Sequence, residues 1–85
     1  MELVEQLEQE IDRWGDKLDD LFPLVHAVDG KGKELMTNAR AYREDSKYFR
    51  EKGDLVRSYE CLIWAWAIVE VGRSVGRIMS QSQKD

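Results

Sequence analysis

The chain has 85 residues, 42% of them apolar and 35% charged, a mixture too apolar for a disordered segment and too charged for a membrane protein. That length supports a single hydrophobic core, hence one domain. Seventeen acids against thirteen bases leave a net charge of -4, so the chain lacks the basic balance of proteins that coat nucleic acid by displacing phosphate counterions, and nucleic acid is not an expected general partner.

The first helix is expected over Glu2 to Leu21, where Leu3, Leu7, Ile11, Trp14, Leu18 and Leu21 recur at spacings of four and three and share one side. Its early Glu2, Glu5 and Glu8 resemble neither a secretory signal nor an arginine-rich transit sequence. Pro23 has no amide donor and turns Phe22 away from helical geometry, which ends this helix. His26 to Gly32 reads as a connector, and Asp29-Gly30-Lys31-Gly32-Lys33 as a turn leading into a second helix.

The second helix is expected from Lys33 onward on the spacing of Leu35, Ala39, Tyr42, Ser46 and Phe49. It stops at Gly53, the residue best able to adopt a left-handed C-cap. Asp54 then caps a third helix. So short a turn makes the two helices antiparallel, and Lys33 to Met79 becomes a helical hairpin. Its register puts Phe49 near Arg57, Ser46 near Glu60 and Tyr42 near Trp64.

The third helix is apolar on two sides. Leu55, Tyr59, Leu62, Trp66 and Val69 form a stripe expected to pack on the second helix, and Trp64, Ile68, Val71, Val75 and Ile78 form another on roughly the opposite side. The first helix, or another subunit, must cover the second stripe. The longest apolar run, Cys61 to Val69, is far short of the roughly 20 residues that span a bilayer. The expected architecture is all-α: a three-helix bundle built on a long antiparallel hairpin, with residues 1–79 as one domain and 80–85 as a frayed tail.

The chemistry-bearing residues do not assemble into a catalytic or metal constellation. Gly30-Lys31-Gly32-Lys33 lacks the preceding strand and the following Ser or Thr of a phosphate loop. Asp29-Gly30 is preceded by Val25 and Ala27 at positions where a calcium loop needs oxygen donors. His26 is the only histidine, so the Glu-x-x-His pairs of carboxylate-bridged metal bundles cannot form. Cys61, the only cysteine, falls in an apolar helical run where burial makes a thiol inert. Its solitude also excludes an intramolecular disulfide and fits a reducing, cytoplasmic compartment. The expectation is a protein with no enzymatic activity, cofactor or metal.

Arg40, Arg43, Lys47 and Arg50 line one edge of the second helix and offer a site for RNA or another polyanion. Glu44 and Glu51 lie within pairing distance, so a self-neutralised face is the favoured reading. Gly72 and Gly76, with Ser74 between them, form either a small-residue contact patch or a fraying helix end.

From Ala39 to Ala65 the chain reads A-x-x-Y-x-x-D-x-x-x-F-x-x-x-G-D-x-x-R-x-x-E-x-x-x-W-A. This pattern, carried by Tyr42, Asp45, Phe49, Gly53, Asp54, Arg57 and Glu60, resembles a family of small archaeal proteins known as domain of unknown function number 357. The resemblance implies an archaeal source and a compact helical bundle, and it implies no activity. Ser58 stands where that family more usually has alanine. The hairpin is also similar to a single tetratricopeptide unit, although nothing in the chain repeats.

The functional expectation is therefore a self-associating interaction module, a homodimer whose interface includes Trp64, Ile68, Val71, Val75 and Ile78. The alternative is polyanion binding through Arg40, Arg43, Lys47 and Arg50.

Overall fold

The computed structural model describes residues 2–81, and its elements can be traced to local signals. Helix α1 (Glu2–Leu21) has the bounds expected from its apolar spacing. It gives way to a turn of 3₁₀ helix at Phe22–Leu24 that contains Pro23. Helix α2 (Gly30–Glu51) begins three residues before the expected start, because the Asp29 side chain accepts the Gly32 amide at 2.9 Å and caps it. Gly30 to Lys33 is thus the first helical turn rather than a loop.

At the hairpin turn, Gly53 has a φ of 81°. Its amide donates to Arg50 O, and the Asp54 amide donates to Phe49 O at 2.9 Å, which satisfies carbonyls left open at the end of α2. Asp54 then caps helix α3 (Leu55–Ser74) by accepting the Arg57 amide. The expected register holds at its two aromatic markers: Tyr42 and Trp64 stack with centroids 6.1 Å apart, and the Arg57 guanidinium lies over the Phe49 ring. Small residues let the hairpin close tightly. Ser46, Ser58, Ala39 and Ala65 are fully buried, and Ser58 Oγ donates to Ser46 O at 2.7 Å.

The third helix departs from expectation at its C-terminal end. It stops at Ser74 instead of continuing to Met79, because Gly76 takes a φ of 80° and repeats the closure seen at Gly53: the Gly76 amide donates to Arg73 O and the Arg77 amide to Gly72 O at 2.8 Å. The chain then reverses. Strand β2 (Ile78–Ser80) runs antiparallel to strand β1 (Val25–Ala27), with Val25 opposite Ser80 and Ala27 opposite Ile78. Val28 N donates to Arg77 O, and Arg77 forms an ion pair with Asp29. The connector expected at His26 to Gly32 is therefore a strand and a helix start. Gly72 and Gly76 have separate jobs: Gly76 ends α3, and Gly72 is buried where a Cβ would lie 2.5 Å from Ile78 Cδ1.

Two expectations are corrected here. Ile78 is not on an outward stripe of α3. It is 1% exposed in β2, packed with Val25 and Met36 in a small second core. Ser80 is likewise paired in β2 rather than frayed, and residues 82–85 of the expected tail lie outside the described residues.

The main core joins Ile11 and Leu18 of α1, Ala39 of α2 and Leu62, Ala65 and Val69 of α3. α1 lies against the side of α3 that carries Tyr59, Leu62 and Trp66, so it covers part of the first stripe and leaves Trp64, Val71 and Val75 of the second exposed. Trp14 and Trp66 meet edge to face at 5.7 Å, and Trp66 Nε1 donates to Trp14 O at 3.2 Å. Three helices and a two-stranded ribbon thus form an elongated bundle of 47 × 23 × 17 Å. It is the all-α class expected, with a small sheet added.

Candidate functional site

The four cations on the edge of α2 do not share one role. Arg43 turns inward between α1 and α2, where its Nε and Nη2 donate to the two Asp19 carboxylate oxygens, each at 2.8 Å, and Nη1 donates to Ser46 Oγ. The fork of a guanidinium matches two carboxylate oxygens, which fixes both distance and angle between the helices. These bonds hold the Asp19 carboxyl below its ordinary range and raise Arg43 further. Gly15 makes room for the guanidinium, since a Cβ there would lie 2.6 Å from Arg43 Nη1.

Arg50 repeats the arrangement two turns further along α2. It bonds both carboxylate oxygens of Asp12, at 3.1 and 3.2 Å, and approaches Glu8 at 3.7 Å. Lys47 pairs with Glu44 on its own helix. Arg43 and Arg50 are therefore the polar clamps that seat the acidic α1 on the hairpin. Only the presence of pairing was legible beforehand; the partners expected were Glu44 and Glu51, and the dominant ones are Asp19 and Asp12 on α1. Arg40 stands apart, with its guanidinium 5.1 Å from the centroid of Phe22.

The second stripe of α3 is divided in the fold. Trp64, Val71 and Val75 are 57%, 58% and 61% exposed, and Ile63 beside them is more than half exposed. Ile68 instead packs against the main core, and Ile78 is buried in β2. Next to this face an open groove of about 430 Å³ follows the seam between α1 and α3, lined by Trp14, Tyr59, Ile63, Trp66 and Ala67, with Glu70 as its charged member. Beyond Tyr59 the apolar lining continues onto Leu3 and Leu7. Helical periodicity alone could have found Ile63 and Ala67, but not the groove, which exists only because α1 stops short of the outer side of α3.

Cys61 is half-buried, more open than expected. Burial and the nearby charges of Asp45 and Glu60 push its thiol up, which keeps it protonated and a poor nucleophile. His26 is exposed on β1. Among the described residues, no three His, Cys, Asp or Glu side chains are grouped to hold a metal ion, and no helix is long and apolar enough to cross a membrane.

Comparison with known proteins agrees with this fold. No curated protein matches the chain. The crystal structure of protein AF1782 from Archaeoglobus fulgidus, assigned to DUF357, superposes with a TM-score of 0.86 at 39% sequence identity, covering 93% of this chain and 99% of that one. Residues 22–78, which hold β1, the whole hairpin and the first residue of β2, match the family described as protein of unknown function DUF357. The chain therefore belongs to the DUF357 family of proteins of unknown function.

Proposed function

We propose that this protein is a non-enzymatic, cytoplasmic interaction module that self-associates through the outer face of α3. The observation that carries the reading is the exposed row of Ile63, Trp64 and Val71 on α3 and Val75 at its C-cap, large apolar side chains each more than half exposed. Water-exposed apolar surface of this extent is unfavourable by about 25 cal/mol per Å² that a partner could bury. A 20-residue helix presents a face about 30 Å long. With the adjoining α1/α3 groove, that face exposes a few hundred Å² of apolar surface, the size of patch that marks an interaction site.

A second copy of the chain is the occupant that fits, because a two-fold axis brings the same apolar face against itself. Antiparallel α3 helices crossing at the small Ala67 would set Ile63 of one copy against Val71 of the other. The protonated Cys61 and the engagement of Asp12 and Asp19 in ion pairs favour a binding role over catalysis. The polyanion reading of the α2 edge is weaker on this geometry, since Arg43, Lys47 and Arg50 are already paired.

Sedimentation equilibrium tests the proposal. The expected mass at micromolar concentration is twice the 9.9 kDa of the chain. Val71→Glu and Trp64→Glu, both at exposed positions, should return it to the monomer with unchanged helicity. A monomer for the unaltered chain up to about 100 μM, weaker than a Kd that such an interface should give, refutes self-association.

A further inference from the structure

An open cleft of about 400 Å³ lies over the contact between β1 and the N-terminal half of α2. Its floor is apolar, formed by Val25 and Met36, both buried. Its polar lining consists of Lys33, Thr37 and Arg40 from α2 and His26 from β1. In a chain with a net charge of -4, this cleft has no carboxylate in its lining. The nearest acid along α2, Glu34, pairs with Lys31 at 3.7 Å.

We propose that this cleft binds a small phosphorylated ligand of mononucleotide size. Lys33, Thr37 and Arg40 follow one another at intervals of four and three, so they share a face of α2, with the Thr37 hydroxyl between two cations. About two turns of helix separate Lys33 from Arg40, a span that their long side chains close around one phosphoryl group. Among the described residues Lys33 makes no ion pair, and Arg40 pairs with no carboxylate. Its guanidinium is steadied instead by the Phe22 ring, 5.1 Å away, and keeps its charge available. His26 adds an imidazole donor from the opposite wall. Met36 and Val25 provide the apolar surface against which a ring attached to the phosphate would lie. The volume falls within the roughly 300 to 1,000 Å³ of small-molecule sites. This inference stands independently of self-association, because the cleft lies on α2 and β1, away from the outer face of α3.

Amide-resolved NMR titration of the intact chain with inorganic phosphate and with adenosine monophosphate tests it. Saturable shifts are expected at His26, Lys33, Thr37 and Arg40 with both probes, and binding of the nucleotide should be about two- to fivefold tighter because it also covers the apolar floor of the cleft. Lys33→Glu with Arg40→Glu, both exposed and free of structural ion pairs, should weaken binding by about tenfold or more while the circular dichroism spectrum is retained. The assignment is overturned if neither probe produces saturable shifts by about 10 mM, or if the double variant binds unchanged. Equal affinity for phosphate and nucleotide would refute a ligand of mononucleotide size, and tighter binding of a short single-stranded RNA than of the mononucleotide would refute a small ligand.

Discussion

Removal of the Asp19 carboxylate by Asp19→Ala tests whether Arg43 is a clamp or a bystander. The Arg43 side chain is 11% exposed, while that of Asp19 is 41% exposed. Without its partner, the guanidinium would keep its bond to Ser46 Oγ but lose both charge-assisted bonds to α1. Breaking a fully buried pair costs about 3 to 5 kcal/mol, and an exposed pair contributes under about 1 kcal/mol. The half-open position of Asp19 puts the expected loss at about 2 kcal/mol, which corresponds to roughly 8 to 16 °C in Tm for a domain of this size. Chemical and thermal denaturation of Asp19→Ala, Arg43→Met and the double variant form a cycle whose coupling should be about 1 to 2 kcal/mol. The pH dependence supplies an independent check. Asp19 is held below its ordinary range in the folded chain, so its contribution is fully present above the unfolded value of about 3.9 and is lost as pH falls through the lower folded value. Asp19→Asn should flatten the acid limb of the stability profile. A Tm change under about 2 °C for Asp19→Ala at neutral pH, or a coupling of zero, would refute the clamp.

Gly32→Ala should destabilise the fold by about 2 kcal/mol or more, because its Cβ would overlap the Arg77 carbonyl oxygen, a backbone atom held by the Val28 amide; urea denaturation measures this, and an unchanged midpoint would contradict the close approach of the Arg77 backbone to α2. Gly53→Val should cost about 1 kcal/mol or more through left-handed strain alone, since no neighbouring atom lies within 4 Å of a Cβ there. The purified protein should show no ribonuclease or hydrolase activity with or without divalent metal; turnover lost on substitution of Asp45 or Glu60 would overturn the non-enzymatic reading.

Much of the fold was legible in the sequence because the signals concerned are local. The bounds of α1 follow from one apolar period interrupted by Pro23. The turn at Gly53-Asp54 follows from a left-handed φ and a cap, both properties of a few adjacent residues. Once those two residues join the helices, geometry alone carries Tyr42 to Trp64. The end of α3 was not legible in this way. Val75 and Ile78 continue the helical apolar period, and Gly76 inside such a period reads equally as fraying or packing. What stops the helix is its closure at Gly76 together with the pairing of Ile78–Ser80 on Val25–Ala27, a partner more than fifty residues away.

The candidate sites divide along the same line. A row of Arg40, Arg43, Lys47 and Arg50 at helical spacing has the same sequence signature whether it faces solvent, its own acids or another helix. Only the seating of α1 decided that Arg43 reaches Asp19, 24 residues away, that Arg50 reaches Asp12, and that Arg40 is left to the cleft beside β1. Composition and periodicity determined that this chain forms helices with more apolar surface on the third than its neighbours could hide. Which part of that surface stays exposed depended on the side from which α1 docks and on the reversal at Gly76, because burial is a property of what lies across a gap in space and not of spacing along one helix.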